Sequence, residues 1–173
     1  MDVNALKAVN KVESPKGGFL PDGRPTILFE RHIMRRQLLA KGINPVPYET
    51  QFPNIVNAER GGYKGNEQEY DRLAIAKRID ESSALEACSW GAYQIMGMHW
   101  KLLGYSNVQE MVQDFSSGEK GQLNAFVRFI RSQPSILKAL REKDWKSFAR
   151  WYNGPGAIDE YSAKFEKEYN KLS

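Results

Sequence analysis

The sequence predicts a mostly α-helical domain of the α+β class, with about eight helices and one small β-hairpin. Three observations support this fold class. Apolar residues recur at helical spacing along most of the chain, a Pro-Asp-Gly turn separates two short apolar runs, and no internal repeat or low-complexity linker interrupts the sequence. The chain has 173 residues, enough for one ordinary core, so we expect a single domain over residues 1–173.

The first elements are a helix and the hairpin. A helix is predicted over residues 2–13, because Asp2 is a good N-cap and apolar residues recur on one face. Residues 14–18 are expected to end it, since a proline disfavours helical geometry in the residue before it and two glycines follow. The apolar runs 19–20 and 26–29, joined by the Pro-Asp-Gly turn, predict the hairpin.

Helices account for most of the remaining chain. One is predicted to begin at Arg31 and stop at Gly42, and a proline-rich loop is expected over residues 44–53. The further helices predicted from apolar spacing cover residues 67–79, 84–88, 108–114, 119–132, 136–141, 145–152 and 157–172. We therefore expect the hairpin to lie beside the first helix of an otherwise helical domain.

The composition excludes several classes of protein. Aromatic residues make up 12% of the chain and hydrophobic residues 41%, a content that disordered chains do not reach. Cys88 is the only cysteine and there are two histidines, so neither a disulfide framework nor a zinc site is expected. We expect no metal and no organic cofactor.

The charge and the N-terminus limit location and partners. No apolar run approaches the roughly 20 residues that a membrane-spanning helix needs. Residues 1–4 do not begin a secretory leader, so we expect the protein to stay in the cytoplasm where it is made unless a separate membrane pore releases it. The net charge of +4 favours an acidic partner, whether nucleic acid, anionic lipid or an anionic cell-wall polymer.

Glu13 is the first residue whose position suggests chemistry. It is expected to end a helix, at the negative pole of the helix dipole, where a carboxylate is disfavoured as an anion. Burial would raise its pKa further, and a carboxyl group that stays protonated near neutral pH can act as a general acid. A solvated glutamate at a frayed helix end is the alternative interpretation.

Two further carboxylates lie near the predicted hairpin. Asp22 occupies its tip, where aspartate is also an ordinary turn residue. Glu30 and His32 flank Arg31 where the strand passes into a helix, and there they could equally form a cap and a surface ion pair.

Two aromatic segments carry side chains suited to a sugar. Residues 89–96, Ser-Trp-Gly-Ala-Tyr-Gln-Ile-Met, combine rings, small residues and an amide, and residues 151–154, Trp-Tyr-Asn-Gly, repeat that combination. The rings could stack on a sugar, and the amides could hydrogen-bond its acetamido groups. Each segment taken singly is also compatible with a place in the core.

Several segments together resemble a known family. Three of them resemble, in order, the motifs of the goose-type lysozyme and soluble lytic transglycosylase superfamily: Glu13-Ser14, residues 89–96 and residues 151–154. The first of these motifs, extended to residues 12–14, together with residues 18–25 and 27–32, resembles more closely the N-acetylmuramidase domain of bacteriophage endolysins. The resemblance implies a lysozyme-like fold, with an α lobe, a β-hairpin lobe and a cleft between them. It implies cleavage of the β-1,4 bond between N-acetylmuramic acid and N-acetylglucosamine in peptidoglycan, leading to lysis of the host cell.

The resemblance also assigns roles to individual residues. Glu13 would be the general acid that protonates the leaving glycosidic oxygen, with Asp22 the first choice for the second carboxylate and Glu30 the second choice. A separation of about 5–5.5 Å between the two carboxyl groups would imply a retaining reaction, and about 6.5–9.5 Å an inverting one. The residues expected to position the substrate are Ser14, Ser89, Tyr93, Gln94, Tyr152 and Asn153.

Other functions remain open from the sequence. A lytic transglycosylase would cut the same bond with one glutamate and leave a 1,6-anhydro product, and a non-catalytic module would bind the glycan without cutting it. A nucleic-acid-binding domain is disfavoured, because the basic residues are scattered among acidic ones. We expect a monomer that binds no nucleic acid and has no separate cell-wall-binding module, acting as a phage lysin or as a delivered toxin.

Overall fold

The computed structural model describes residues 2–15 and 17–173. Met1 and Lys16 lie outside these ranges, so the prediction that residues 14–18 end the first helix can be followed only on either side of Lys16. The described chain is mostly helical with one small antiparallel sheet, which confirms the predicted fold class. None of the described helices is long and apolar enough to cross a membrane.

Within the described residues the chain forms ten α-helices and three β-strands. The helices are α1 (Val3–Glu13), α2 (Arg31–Ala40), α3 (Val46–Gln51), α4 (Gln68–Ile79), α5 (Glu81–Glu86), α6 (Val108–Ser116), α7 (Glu119–Ser132), α8 (Pro134–Glu142), α9 (Trp145–Tyr152) and α10 (Ile158–Asn170). The strands are β1 (Ile27–Phe29), β2 (Cys88–Trp90) and β3 (Ile95–Met96). The chain divides into two compact units: a first unit of Met1–Gly17 with Asn124–Ser173, and a second unit of Gly18–Leu123.

The first unit packs its helices around aromatic side chains. Helix α1 packs against α10, and α9 packs against both α8 and α10. Phe148 and Phe165 are fully buried, and Phe148 stacks on Tyr152 with ring centroids 5.4 Å apart. The carboxylate of Asp2 caps α1, as predicted, by accepting the backbone N–H of Asn4 at 2.9 Å. The ring contact of Tyr152 thus anchors the C-terminal end of α9, and the Asp2 cap fixes the N-terminal end of α1.

The sheet belongs to the second unit. Its strand order is β1-β2-β3, and both pairs are antiparallel. Phe29 pairs with Cys88, and Ser89 pairs with Met96. Because Cys88 to Trp90 form the central strand, the predicted helix over residues 84–88 is displaced. It runs instead as α5, which begins after the N-cap Asp80.

The predicted hairpin is present in a reduced form. Phe19 and Pro25 make an isolated antiparallel bridge around the turn, and the backbone N–H of Leu20 donates to the carbonyl of Arg24 at 2.7 Å. On the other side of this bridge the backbone N–H of Thr26 donates to the carbonyl of Gly18 at 2.9 Å, so the missing N–H of Pro25 costs the pair no hydrogen bond. Strand β1, expected to pair with residues 19–20, pairs with β2 instead.

The proline-rich segment also differs from its prediction. Residues 44–53 were expected to form a loop, and they contain the short helix α3. The side chain of Asn44 accepts the backbone N–H of Val46, and Pro47 lies in the first turn, where a missing N–H costs little. Proline therefore starts this helix instead of preventing it.

A buried ion pair lies inside the second unit. Glu69 is fully buried and Arg72 is 2% exposed, and Arg72 Nη1 lies 2.8 Å from Glu69 Oε2. The same guanidinium donates to the carbonyls of Phe29 and Asn54. The pair thus joins α4 to strand β1 and to the chain that follows α3.

Candidate active site

Glu13 is the last residue of α1 and is partly buried. Its Oε1 accepts a hydrogen bond of 2.9 Å from Nδ2 of Asn153. Asn153 is the C-cap residue of α9, and its backbone N–H donates to the carbonyl of Ala149 at 2.8 Å. Two helix ends in the first unit therefore place a carboxyl group and a neutral amide in contact.

Burial raises the pKa of Glu13 above its ordinary value of 4.5. The hydrogen bond from Asn153 and the positive charge of Lys164 act in the opposite direction and only partly offset it. The end of a helix dipole adds to the cost of a negative charge at this position. The shift favours the protonated form of Glu13 relative to that of an exposed glutamate, which is the direction that a general acid needs.

The other predicted site residues of the first unit, Asn153, Tyr152 and Ser14, each have different hydrogen-bonding and packing partners. The Oδ1 atom of Asn153 is buried without a hydrogen-bond partner, so this amide keeps one unused acceptor. Tyr152 also meets Phe126 edge to face, with centroids 5.7 Å apart, which makes its ring part of the aromatic core. Ser14 is the C-cap of α1, and its carbonyl accepts the backbone N–H of Gly17 at 3.2 Å.

Asp22 lies at the tip of the reduced hairpin and pairs with Arg24. Its Oδ2 accepts two bonds from the guanidinium, at 2.9 and 2.7 Å, and its Oδ1 accepts the backbone N–H of Arg24 at 3.0 Å. Arg24 in turn lies over the ring of Tyr70, 4.0 Å from its centroid. These bonds lower the pKa of Asp22 and occupy both of its oxygens.

Glu30 has different partners. It is the N-cap residue of α2, and its side chain makes no capping bond to that helix. Its Oε2 accepts a 2.6 Å hydrogen bond from the hydroxyl of Tyr63. His32 Nδ1 lies 3.3 Å from the same oxygen but lacks the geometry of a hydrogen bond. The Glu30 side chain is 15% exposed, less than the 36% of Asp22.

The segment 89–96 forms strands β2 and β3 and the turn between them. Ser89 Oγ donates to Oε1 of Gln94 at 2.7 Å, and Gln94 Nε2 donates to the carbonyl of Gly91 at 2.9 Å. Gln94 is exposed and adopts a left-handed φ of 48°. Tyr93 is buried, and burial raises the pKa of its phenol to about 12. Ser89 and Gln94 thus form one polar cluster, whereas Tyr93 packs into the interior.

Gln122 organises this turn and was missed in the sequence analysis. Its side chain is 1% exposed; Oε1 accepts the backbone N–H of Ala92 at 2.8 Å, and Nε2 donates to the carbonyl of Gly18 at 3.1 Å. Gly91 has a φ of 70°, and a Cβ there would lie 2.6 Å from Cδ of Gln122. An available signal was the helical spacing that puts Gln122 one turn before the apolar Phe126.

The predicted residues therefore fall into two sets. The first unit brings Glu13, Ser14, Tyr152 and Asn153 to two helix ends, and the second unit holds Asp22, Glu30, Ser89, Tyr93 and Gln94. Tyr63, the partner of Glu30, was not predicted, because it lies in a loop without periodic spacing. No three side chains of the metal-binding types cluster within the described part of the chain.

The mostly helical fold with one small antiparallel sheet is lysozyme-like. Among solved structures, the crystal structure of the Burkholderia AP3 phage endolysin matches with a TM-score of 0.94 and 50% sequence identity. The match covers 99% of this chain and 65% of that endolysin, so this chain spans about two thirds of its length. The model of the N-acetylmuramidase family matches residues 2–173, and the chain belongs to this family. No curated protein matches it.

Proposed function

We propose that this protein is a peptidoglycan hydrolase of the endolysin type. It would cleave the β-1,4 bond between N-acetylmuramic acid and N-acetylglucosamine in the wall of a bacterial host. The observation that carries the proposal is the partly buried Glu13 at the end of α1, whose pKa is raised and whose one described hydrogen-bond partner is a neutral amide. Family membership and the 50% identity to a phage endolysin support the substrate class.

In the proposed reaction Glu13 acts as the general acid. Its carboxyl proton moves to the glycosidic oxygen as the bond between that oxygen and the anomeric carbon of N-acetylmuramic acid breaks. The electron pair of that bond leaves with the oxygen, and Glu13 becomes a carboxylate. Asn153 Nδ2 then donates to an anion, which strengthens that bond as charge develops. Water supplies the hydroxyl at the anomeric carbon, and its remaining proton replaces the one that Glu13 gave to the leaving oxygen.

For the second carboxylate we propose Glu30 in preference to Asp22. A base must take up a proton, and the three hydrogen bonds that Arg24 donates to Asp22 stabilise its anion and lower its pKa, which weakens it as a base. Glu30 is less exposed and accepts a single described hydrogen bond, from a neutral phenol. This ranking reverses the order expected from the sequence, in which Asp22 came first.

The proposed substrate-positioning residues differ in how accessible their side chains are. Gln94 is exposed and linked to Ser89, so these two suit hydrogen bonds to an acetamido group or a sugar hydroxyl. Tyr93 and Tyr152 pack against other residues, so we propose that they support the site by their packing and not by hydrogen bonds to the sugar. Ser14 would orient the end of α1. We also propose that the protein works as a monomer, released to the wall through a separate pore.

The test is mass spectrometry of the soluble fragments released from purified Gram-negative peptidoglycan. Wild-type protein should release muropeptides that end in reducing N-acetylmuramic acid, and Glu13→Gln should release almost none. Glu142→Gln is the matched control, because Glu142 is an exposed glutamate whose ion pair with Lys138 spans 4.0 Å. Fragments lighter by one water would identify a transglycosylase, and no fragments from wild-type protein would contradict catalysis.

A further inference from the structure

The loop between α3 and α4 contains a tyrosine whose hydroxyl contacts a carboxylate. Tyr63 is 45% exposed, yet its hydroxyl donates a 2.6 Å hydrogen bond to Oε2 of Glu30. A solvent-exposed tyrosine could turn its hydroxyl to water, so the bond depends on how the loop is held. We call residues 59–65 the tyrosine loop.

On its N-terminal side, the tyrosine loop is held by Arg31. This guanidinium donates to the carbonyl of Glu59 at 2.8 Å through Nε and to that of Arg60 at 2.9 Å through Nη2. Arg31 directly follows Glu30 in the sequence. The residue beside the carboxylate therefore also holds the loop that approaches it.

On its C-terminal side, the tyrosine loop is held by the buried ion pair. Glu69 Oε1 accepts the backbone N–H groups of Lys64 and Gly65, at 2.6 and 2.9 Å. Gly62 has a φ of 73°, and a Cβ there would lie 3.3 Å from Nη2 of Arg72. The backbone on both sides of Tyr63 is thus bonded to charged side chains, which restrict the positions that its ring can take.

The charged groups around the phenol form a small set. Glu30 and His32 lie on the side of α2, and Arg60 and Arg72 lie on the loop and on α4, with the Arg72 guanidinium 5.8 Å from the ring centroid. Burial, and then the hydrogen bond to Glu30, raise the pKa of Tyr63, whereas Arg60 and Arg72 lower it. The phenol therefore remains a donor at neutral pH.

We propose that Tyr63 is a positioning residue for Glu30, and that the Glu69–Arg72 pair holds the tyrosine loop in the position this role needs. The hydroxyl fixes one carboxylate oxygen of Glu30, Oε2, and leaves the other oxygen without a described hydrogen bond. This inference rests on the proposed function, in which Glu30 is the second carboxylate. Tyr63 itself would not touch the reacting atoms.

The first test is Tyr63→Phe, which removes only the hydroxyl. With soluble, uncrosslinked glycan strands as substrate, we expect kcat to fall about 10- to 100-fold, the range for losing a hydrogen bond to a charged group. KM should change less than about twofold, because a positioning residue does not bind the substrate. An unchanged kcat, or a loss confined to KM, would overturn the proposal.

The matched control is Tyr105→Phe. Tyr105 also donates its hydroxyl to a carboxylate, that of Asp114, at 2.5 Å in the same unit. Both variants lose the same type of bond, and Tyr105 is the more buried, at 7% exposure. Tyr105→Phe should lower the melting temperature more than Tyr63→Phe while keeping kcat near the wild-type value. If the variant with the larger fall in melting temperature also shows the larger fall in kcat, the effect of Tyr63 on kcat is only a consequence of stability.

A double variant tests whether Tyr63 acts through Glu30. Adding Tyr63→Phe to Glu30→Gln should cause no further loss of kcat, because the group that Tyr63 positions is already gone. A further loss as large as in the wild-type background would overturn the proposal. So would wild-type activity of Glu30→Gln, since the second carboxylate would then be another group.

A titration that needs no activity separates this inference from the proposed function. The Tyr63 phenol can be followed by nuclear magnetic resonance in protein labelled at tyrosine, with Tyr63→Phe used to assign its signal. Glu30→Gln should lower the pKa of this phenol, and an unchanged value would mean that the two side chains do not interact. If wild-type protein releases no fragments from peptidoglycan while this shift is present, the proposed function fails and the positioning role fails with it, although the contact itself stands.

Discussion

A partly buried glutamate and a fully buried one show how the same side chain serves opposite purposes in this molecule. Glu13, in the first unit, has one described hydrogen-bond donor, the neutral amide of Asn153, and its pKa is raised. Glu69, in the second unit, is fully buried, yet its pKa is lowered. Burial raises the pKa of Glu69 as well, but three backbone N–H groups and the guanidinium of Arg72 outweigh that effect.

The difference teaches that the partners of a buried carboxylate, rather than its depth, decide what it can do. A carboxylate with four donors is held as an anion and cannot release a proton at neutral pH. Such a group stabilises structure, here by joining α4 to β1 and to the tyrosine loop. A partly buried carboxyl group with one neutral donor has a raised pKa, which favours the protonated form that a general acid needs.

The largest expected effect is the loss of activity in Glu13→Gln. General acid catalysis contributes about 10²–10⁴-fold, so the rate of reducing-end release should fall by at least that range. The free energy of unfolding at pH 7 should not fall, because glutamine removes a buried group that resists ionisation. Both quantities are measured on one preparation, by reducing-sugar assay and by urea unfolding. Retained activity with normal folding would remove Glu13 from the mechanism.

Glu69→Gln should show mainly a loss of stability, with a fall in kcat no larger than that of Tyr63→Phe, because Glu69 affects catalysis only through the tyrosine loop. Removing one partner of a buried ion pair costs about 3–5 kcal/mol, because the charge of Arg72 is left uncompensated. Urea unfolding measures this loss, and Glu142→Gln, which breaks only the exposed pair with Lys138, should change stability by less than about 0.5 kcal/mol. Equal losses of unfolding free energy in the two variants would show that the buried pair stabilises the protein no more than the exposed pair does.

Asn153→Leu should change the pKa of the Glu13 carboxyl group while leaving that group in place. The amide lowers the pKa of Glu13, so its loss should move the basic limb of the pH–rate profile to higher pH. The plateau rate should fall about tenfold, because the carboxylate formed after proton transfer loses its donor. Folding should be retained, since Oδ1 of Asn153 has no partner to lose. A basic limb that stays in place would mean that Asn153 does not tune this carboxyl group.

The sequence predicted much of the surroundings of Glu13 in the first unit and little of the surroundings of Glu69 in the second unit. Glu13 could be found from its place at the end of a predicted helix, and Asn153 from the aromatic segment 151–154 and its resemblance to a family motif. The bounds of α7 and α9 agree with the spacing of their apolar residues. Glu69 and Arg72 lie in a correctly predicted helix, but their burial comes from chain segments far away in sequence. The partner of β1 was missed for the same reason, because strand pairing between residues 27–29 and 88–90 leaves no local signal.

The smallest expected effect is on the pH dependence of stability, where the two glutamates should have opposite signs. The folded-state pKa of Glu13 lies above its ordinary value of 4.5, so the folded state binds this proton more tightly than the unfolded state. The stability of wild-type protein relative to Glu13→Gln should therefore be greatest below pH 4.5 and decline as the pH rises through the raised pKa.

The folded-state pKa of Glu69 lies below 4.5, so its contribution should be fully present above that pH and be lost as the pH falls through the lowered pKa. Unfolding free energies of wild-type protein and both variants, measured from pH 3 to pH 8, would give the two difference curves. Curves of the same sign would mean that burial alone sets both pKa values. Opposite slopes would show that the donors around Glu69, which the site of Glu13 lacks, give the two pKa shifts their opposite directions.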